Sequence, residues 1–117
     1  PSYGLSDDEI SRMLTDSLTH VQEDIAARKL REAIVDAEGL IAATEAALSS
    51  DGDLLDSDER SALDAAIAAL HTAIATQTTR DVNAATQRLS QATETFAARR
   101  MDRNIQQALK GKHIGNL

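Results

Sequence analysis

The sequence predicts an all-α protein, an antiparallel helical bundle from which a long N-terminal helical arm projects. Three observations carry this. Five Gly and one Pro in 117 residues leave out the frequent chain breaks that a β-sandwich or barrel requires. Alanine, the best helix former, occurs 21 times. Apolar residues recur at alternating three- and four-residue steps along most of the chain, the rhythm of one helix face. Tyr3 and Phe96 are the only aromatic residues, so Leu, Ile, Val and Ala must fill the core and the helices must pack closely.

Pro1 to Leu5 read as the end of a preceding unit or a linker, which makes the chain a C-terminal piece of something longer. Ser6, followed three residues later by Glu9, has capping-box spacing, and Asp7, Asp8 and Glu9 place acids where the helix dipole is positive. The helix begun there carries Ile10, Leu14, Leu18, Val21 and Ile25 on one stripe, with Met13 beside them. A second stripe runs through Leu30, Ile34, Ala37, Ile41, Thr44 and Leu48. The five-residue step from Ile25 to Leu30 rotates the second stripe by about 140° relative to the first, so the two halves serve different partners. Residues 6–29 are therefore a projecting arm, and residues 30–111 a bundle to which the second half of this long segment contributes a wall.

Ser49 to Asp53 form a turn of short polar residues and Gly. Asp56 and Glu59 mark the next helix start; Leu63, Ile67, Leu70 and Ile74 give its stripe, and it should stop near Gln77. From Thr79 a further helix carries Val82, Ala85, Leu89, Ala92 and Phe96. The phase slips between Phe96 and Met101, and a short last helix with Met101, Ile105 and Leu109 is expected to end at Gly111, with residues 112–117 as a flexible tail.

Twelve basic and nineteen acidic side chains give a net charge of −7. The distribution is uneven. Residues 99–117 hold five basic side chains and one acid, net +4, which leaves seven basic and eighteen acidic side chains, net −11, before them. An acidic body repels phosphate backbones, which argues against nucleic-acid binding. No apolar run reaches membrane-spanning length.

The chemistry-bearing residues form no recognisable active site. His20, His71 and His113 lie in separate segments, without the Glu-x-x-His pairing of metal-binding bundles. Cysteine is absent, so a metal site would need several well-placed carboxylates. The acidic run Asp51 to Glu59 superficially resembles a calcium loop, but positions five and six are Leu55 and Asp56 where an oxygen ligand and Gly are required; it reads as a turn whose acids cap the next helix. No glycine-rich loop can cradle phosphate, so the chain is expected neither to bind nor to hydrolyse ATP, and no catalytic, cofactor or metal residue is assigned. Arg99, Arg100, Arg103, Lys110 and Lys112 suit an acidic partner, or simply a helix C-terminus beside an acidic body.

Tyr3, Gly4, Leu5, Ser6, Asp7, Asp8, Glu9 and Ile10 resemble the junction at which the peptide-binding β-subdomain of DnaK-type seventy-kilodalton heat-shock chaperones passes into its helical lid. The string Phe96, Ala97, Ala98, Arg99, Arg100, Met101, Asp102, with Ala108 to Gly111, is most similar to the HscA branch, dedicated to iron-sulfur cluster assembly. The resemblance implies a bacterial, cytoplasmic chaperone with an ATPase domain that uses ATP, ADP and magnesium outside this segment. It implies a lid that swings over a client peptide and gates its release. By the motif, Glu38 matches an acidic residue that latches the lid to the β-subdomain, whereas Ala42 stands where a second latch carries histidine. An IscU-type scaffold client and an HscB-type J-domain co-chaperone follow by the same resemblance.

Ile10, Met13, Leu14, Leu18, Val21 and Ile25 are thus expected to dock on the protein's own β-subdomain or, without it, to pair with a second copy. The competing reading is a free-standing helical adaptor that binds a partner helix through the same stripe.

Overall fold

The computed structural model describes the backbone of residues 4–115 and the side chains of residues 4–112. Among the described residues four α-helices follow one another: α1 (Asp7–Asp51), α2 (Ser57–Ala75), α3 (Thr79–Ala92) and α4 (Glu94–Gly115), with one 3₁₀ turn at Gly52–Leu54. No strand occurs among the described residues. Pro1 to Tyr3, the predicted linker's first residues, and residues 116–117 of the predicted tail lie outside the described residues.

The helix boundaries have local causes. Ser6 Oγ accepts from the Glu9 N–H at 3.2 Å and starts α1. At α2 the box is complete: Asp56 Oδ1 accepts from the Glu59 N–H at 2.8 Å, and Glu59 Oε1 accepts from the Asp56 N–H at 3.0 Å. Between α2 and α3 the chain reverses through Gln77, whose φ of 56° is left-handed, close to the stop read from the sequence.

Two boundaries differ from expectation. The break before the last helix falls at Thr93, ahead of Phe96, and Phe96 opens α4 where the sequence placed it at the end of the preceding helix. Thr93 donates its hydroxyl to the Ser90 carbonyl at 2.7 Å while its N–H is shared by the Leu89 and Ser90 carbonyls. This local bonding competes with helix continuation. Gly111 does not end α4, which continues to Gly115 and so takes in residues 112–115 of the predicted tail. No described Gly has the positive φ of a left-handed cap, and a Gly in right-handed conformation lowers helix stability without ending the helix.

The core lies in the second half of α1 and in α2, α3 and the start of α4. Ala33, Ala37, Ile41, Thr44, Ala47 and Leu48 face Leu63, Ala66, Ile67, Leu70, Val82, Leu89 and Phe96. Ala92, expected on the α3 stripe, is exposed. Thr44 is buried without penalty because its hydroxyl donates to the Leu40 carbonyl at 2.7 Å. The start of α3 lies beside Lys29 and Ala33, and the start of α4 beside Leu40, Thr44 and Ala47. α3 therefore runs alongside α1 in the same direction, with α2 antiparallel to both.

Among the described side chains of α4, Phe96 is the only large apolar one in the core; Met101, Ile105 and Leu109 are exposed. Its second half runs on past the α1–α2 turn, so the last stripe does not serve as a bundle wall. The molecule measures 95 × 36 × 17 Å, longer than the roughly 68 Å that a 45-residue helix such as α1 spans at 1.5 Å per residue.

Candidate docking face on the long helix

The first half of α1 exposes its whole apolar stripe. Ile10 is 43% exposed, Leu14 65%, and Met13, Leu18, Val21 and Ile25 lie between these values. Every residue of α1 from Asp7 to Lys29 is exposed; the first partly covered one is Leu30. The arm continues the axis of α1 and does not fold back on the bundle. Isolated exposed apolar side chains are ordinary, but six on one stripe within four and a half turns form a patch.

Glu38 and Ala42 are both exposed on the bundle half of α1, and Glu38 makes no ion pair among the described residues. Neither is brought near the arm's stripe by folding: they stand about three and a half and nearly five turns beyond Ile25 on the same helix.

The basic segment and the acidic turn, which the sequence leaves as separate features, come together. Arg99 donates to Glu59 at 2.7 Å and to the Leu54 carbonyl at 2.8 Å. Arg100 donates to Asp51 at 2.8 Å and lies 5.8 Å from the centre of the Phe96 ring. Arg103 reaches Asp51 at 3.1 Å and grips both oxygens of Asp53. The pairing with Arg99, helped by the Asp56 N–H, holds the Glu59 carboxyl down at about 2. The Asp51 carboxyl is lowered mainly by Arg100 and that of Asp53 by Arg103. Three of the five carboxylates of the calcium-loop lookalike, Asp51, Asp53 and Glu59, are thus committed to arginines, and three of the five basic residues at the chain's end serve the fold. The signal for this pairing was the charge asymmetry itself, net +4 after residue 98 against an acidic body.

His20 is exposed and 3.7 Å from Glu23, and His71 is exposed; the side chain of His113 lies outside the described residues. No cluster of three or more metal-ligating side chains occurs among the described residues. No described helix is long and apolar enough to cross a membrane.

Sequence comparison identifies the family. The family profile described as Hsp70 protein matches residues 1–102. Over all 117 residues the chain is 66% identical to a chaperone protein HscA homolog of Laribacter hongkongensis and 68% identical to one of Chromobacterium violaceum. A third HscA homolog, from Delftia acidovorans, is 52% identical over the same length. In each case the chain spans 19% of the relative's length. With an all-helical fold and a family match over most of its residues, the chain belongs to the Hsp70 family of chaperones, as part of a protein of the HscA type.

Proposed function

We propose that this segment is the helical lid of the substrate-binding domain of a chaperone that serves iron-sulfur cluster assembly. The observation that carries the reading is the arm: six large apolar side chains on one stripe, all exposed, on a helix whose other half is fixed in a bundle. Each buried aliphatic side chain contributes roughly 1.5 kcal/mol or more, so a body that covers this stripe binds the arm firmly while the bundle moves with α1. The peptide-binding β-subdomain of the longer protein is that body. Lid closure in the ADP state slows client departure and opening in the ATP state allows it, so the segment acts on release rate. Nucleotide binding and hydrolysis belong to another part of the longer protein in this reading.

Glu38 is the latch residue, pairing with a cation on an outer loop of the β-subdomain. Ala42 supplies no second polar latch. The client is an IscU-type scaffold and the co-chaperone an HscB-type J-domain protein, which is the partnership of the HscA branch. The experiment is release of a labelled client peptide from the ADP state of the full-length protein. Leu14→Asp should speed release by tenfold or more, and Glu38→Ala by a smaller factor. Release unchanged by Leu14→Asp, in a protein whose lid bundle still folds, would sink the lid reading.

A further inference from the structure

The bundle half of α1 carries one large aliphatic side chain turned away from the core: Val35, 66% exposed and more open than any residue of the arm's stripe. Between Ile25 and Met101 no other large apolar residue is exposed among the described residues. Single exposed aliphatics are common; the position of this one on the helix is what matters. At about 100° per residue, Val35 lies about 20° around the axis from Ile10, about 40° from Met13 and Val21, about 60° from Leu14, about 80° from Ile25 and about 100° from Leu18, on one edge of the arm's stripe, but about 160° from both Ala33 and Ala37 in the core. It stands about 15 Å beyond Ile25 and about 38 Å from Ile10, close to the diameter of one small domain.

The surroundings are flat enough to be covered. Val35 sits in a shallow depression edged by Arg28, Arg31, Glu32 and Asp36. Gly39, one turn further along, has nothing within 4 Å of where a Cβ would stand, so no contact within this chain requires its small size, and none obstructs an approach from outside.

We propose that Val35 is the far foot of the arm's docking face, and that the body covering Ile10 to Ile25 also seats on Val35 when the lid is closed. This rests on the lid reading, with the peptide-binding β-subdomain of the longer chain as the occupant. The relatives, of which this chain spans 19%, have ample chain to supply it. One continuous helix carries both contacts, so a body tens of ångströms wide seated on the arm reaches Val35 unless α1 bends or tilts. The two contacts then have different roles. The arm's stripe holds the lid to the body, whereas Val35 touches it only at full closure and sets how long closure lasts.

The test uses the full-length protein in the ADP state, comparing Val35→Glu, Val35→Leu and Leu14→Asp by release of a labelled client peptide and by hydrogen exchange of residues 10–25. Val35→Glu should speed release about three- to tenfold, the loss expected when part of one aliphatic side chain's burial is removed. Val35→Leu should preserve slow release, and the arm should stay protected from exchange in both. Slow release in Val35→Glu alongside fast release in Leu14→Asp would overturn this inference and leave the lid reading standing. Loss of arm protection in Val35→Glu would also overturn it, since Val35 would then act through the arm. Unchanged release in both charged variants would take down the inference and the lid reading together.

Discussion

Arg99 and Glu59, 40 positions apart, share a 2.7 Å hydrogen-bonded ion pair that ties α4 to the first turn of α2. Glu59 also caps its own helix by accepting from the Asp56 N–H, so one carboxylate serves two boundaries. Its folded pKa of about 2 lies below the ordinary 4.5. A carboxylate depressed on folding contributes its full stabilisation above the ordinary value and loses it as pH falls through the folded value. Acidification from about 4.5 to about 2 should therefore weaken the attachment of α4, with Asp51 and Asp53, also lowered, acting in the same direction. A carboxyl titration followed by nuclear magnetic resonance should place Glu59 near 2, and signals of Phe96 should change over the same range. A midpoint near 4.5 would mean that the pair with Arg99 does not form in solution.

The bundle and the arm should respond oppositely to truncation. Leu89 and Leu70 are fully buried, and replacing either with Ala should cost about 2–5 kcal/mol of bundle stability. Leu14→Ala should change it by no more than about 0.5 kcal/mol, as for a surface site. Chemical denaturation of the segment measures both; a large loss from Leu14→Ala would show that the arm packs on the bundle.

Self-association of the segment should depend on the arm. With its stripe exposed, a twofold pairing of arms buries all six residues at once. Sedimentation should show concentration-dependent dimers that Leu14→Asp abolishes without shifting the melting temperature of the bundle.

Two glycines report on helix continuity. Gly39 and Gly111 are helical, and neither has a heavy atom within 4 Å of an added Cβ. Gly39→Ala should raise the stability of the bundle by about 0.5–1 kcal/mol, and Gly111→Ala should increase the helicity of α4. A fall in helicity with Gly111→Ala would restore the stop that the sequence suggested there.

The sequence was legible where one periodic stripe meets one partner. The helix starts at Ser6 and Asp56, the reversal at Gln77 and the core stripes of α1 and α2 all follow from short-range chemistry that the structure repeats. The break at Thr93 was hidden because Leu89 and Phe96 stay in step at seven residues across it, so the apolar rhythm gives no sign that a single hydroxyl interrupts the helix. The exposure of Met101, Ile105 and Leu109 was hidden for a different reason: periodicity shows that a helix has an apolar face but not whether anything lies against it. Periodicity also passes over Val35, which is out of phase with the core stripe. The clamp of Arg99, Arg100 and Arg103 on Asp51, Asp53 and Glu59 joins residues 40 or more positions apart and depends on tertiary structure.

The central claim is that the arm is a docking face for another part of the same protein, and hydrogen exchange tests it most directly. Amide protection of residues 10–25 should be compared between the segment at a concentration where it is monomeric and the full-length chaperone in the ADP state. A helix half that lacks tertiary contacts opens readily. The arm should exchange rapidly in the monomeric segment and be strongly protected in the full-length protein, while Leu70 and Leu89 are protected in both. Equal protection of residues 10–25 in the two proteins would contradict the account, because the arm's stripe would then gain nothing from the body proposed to cover it.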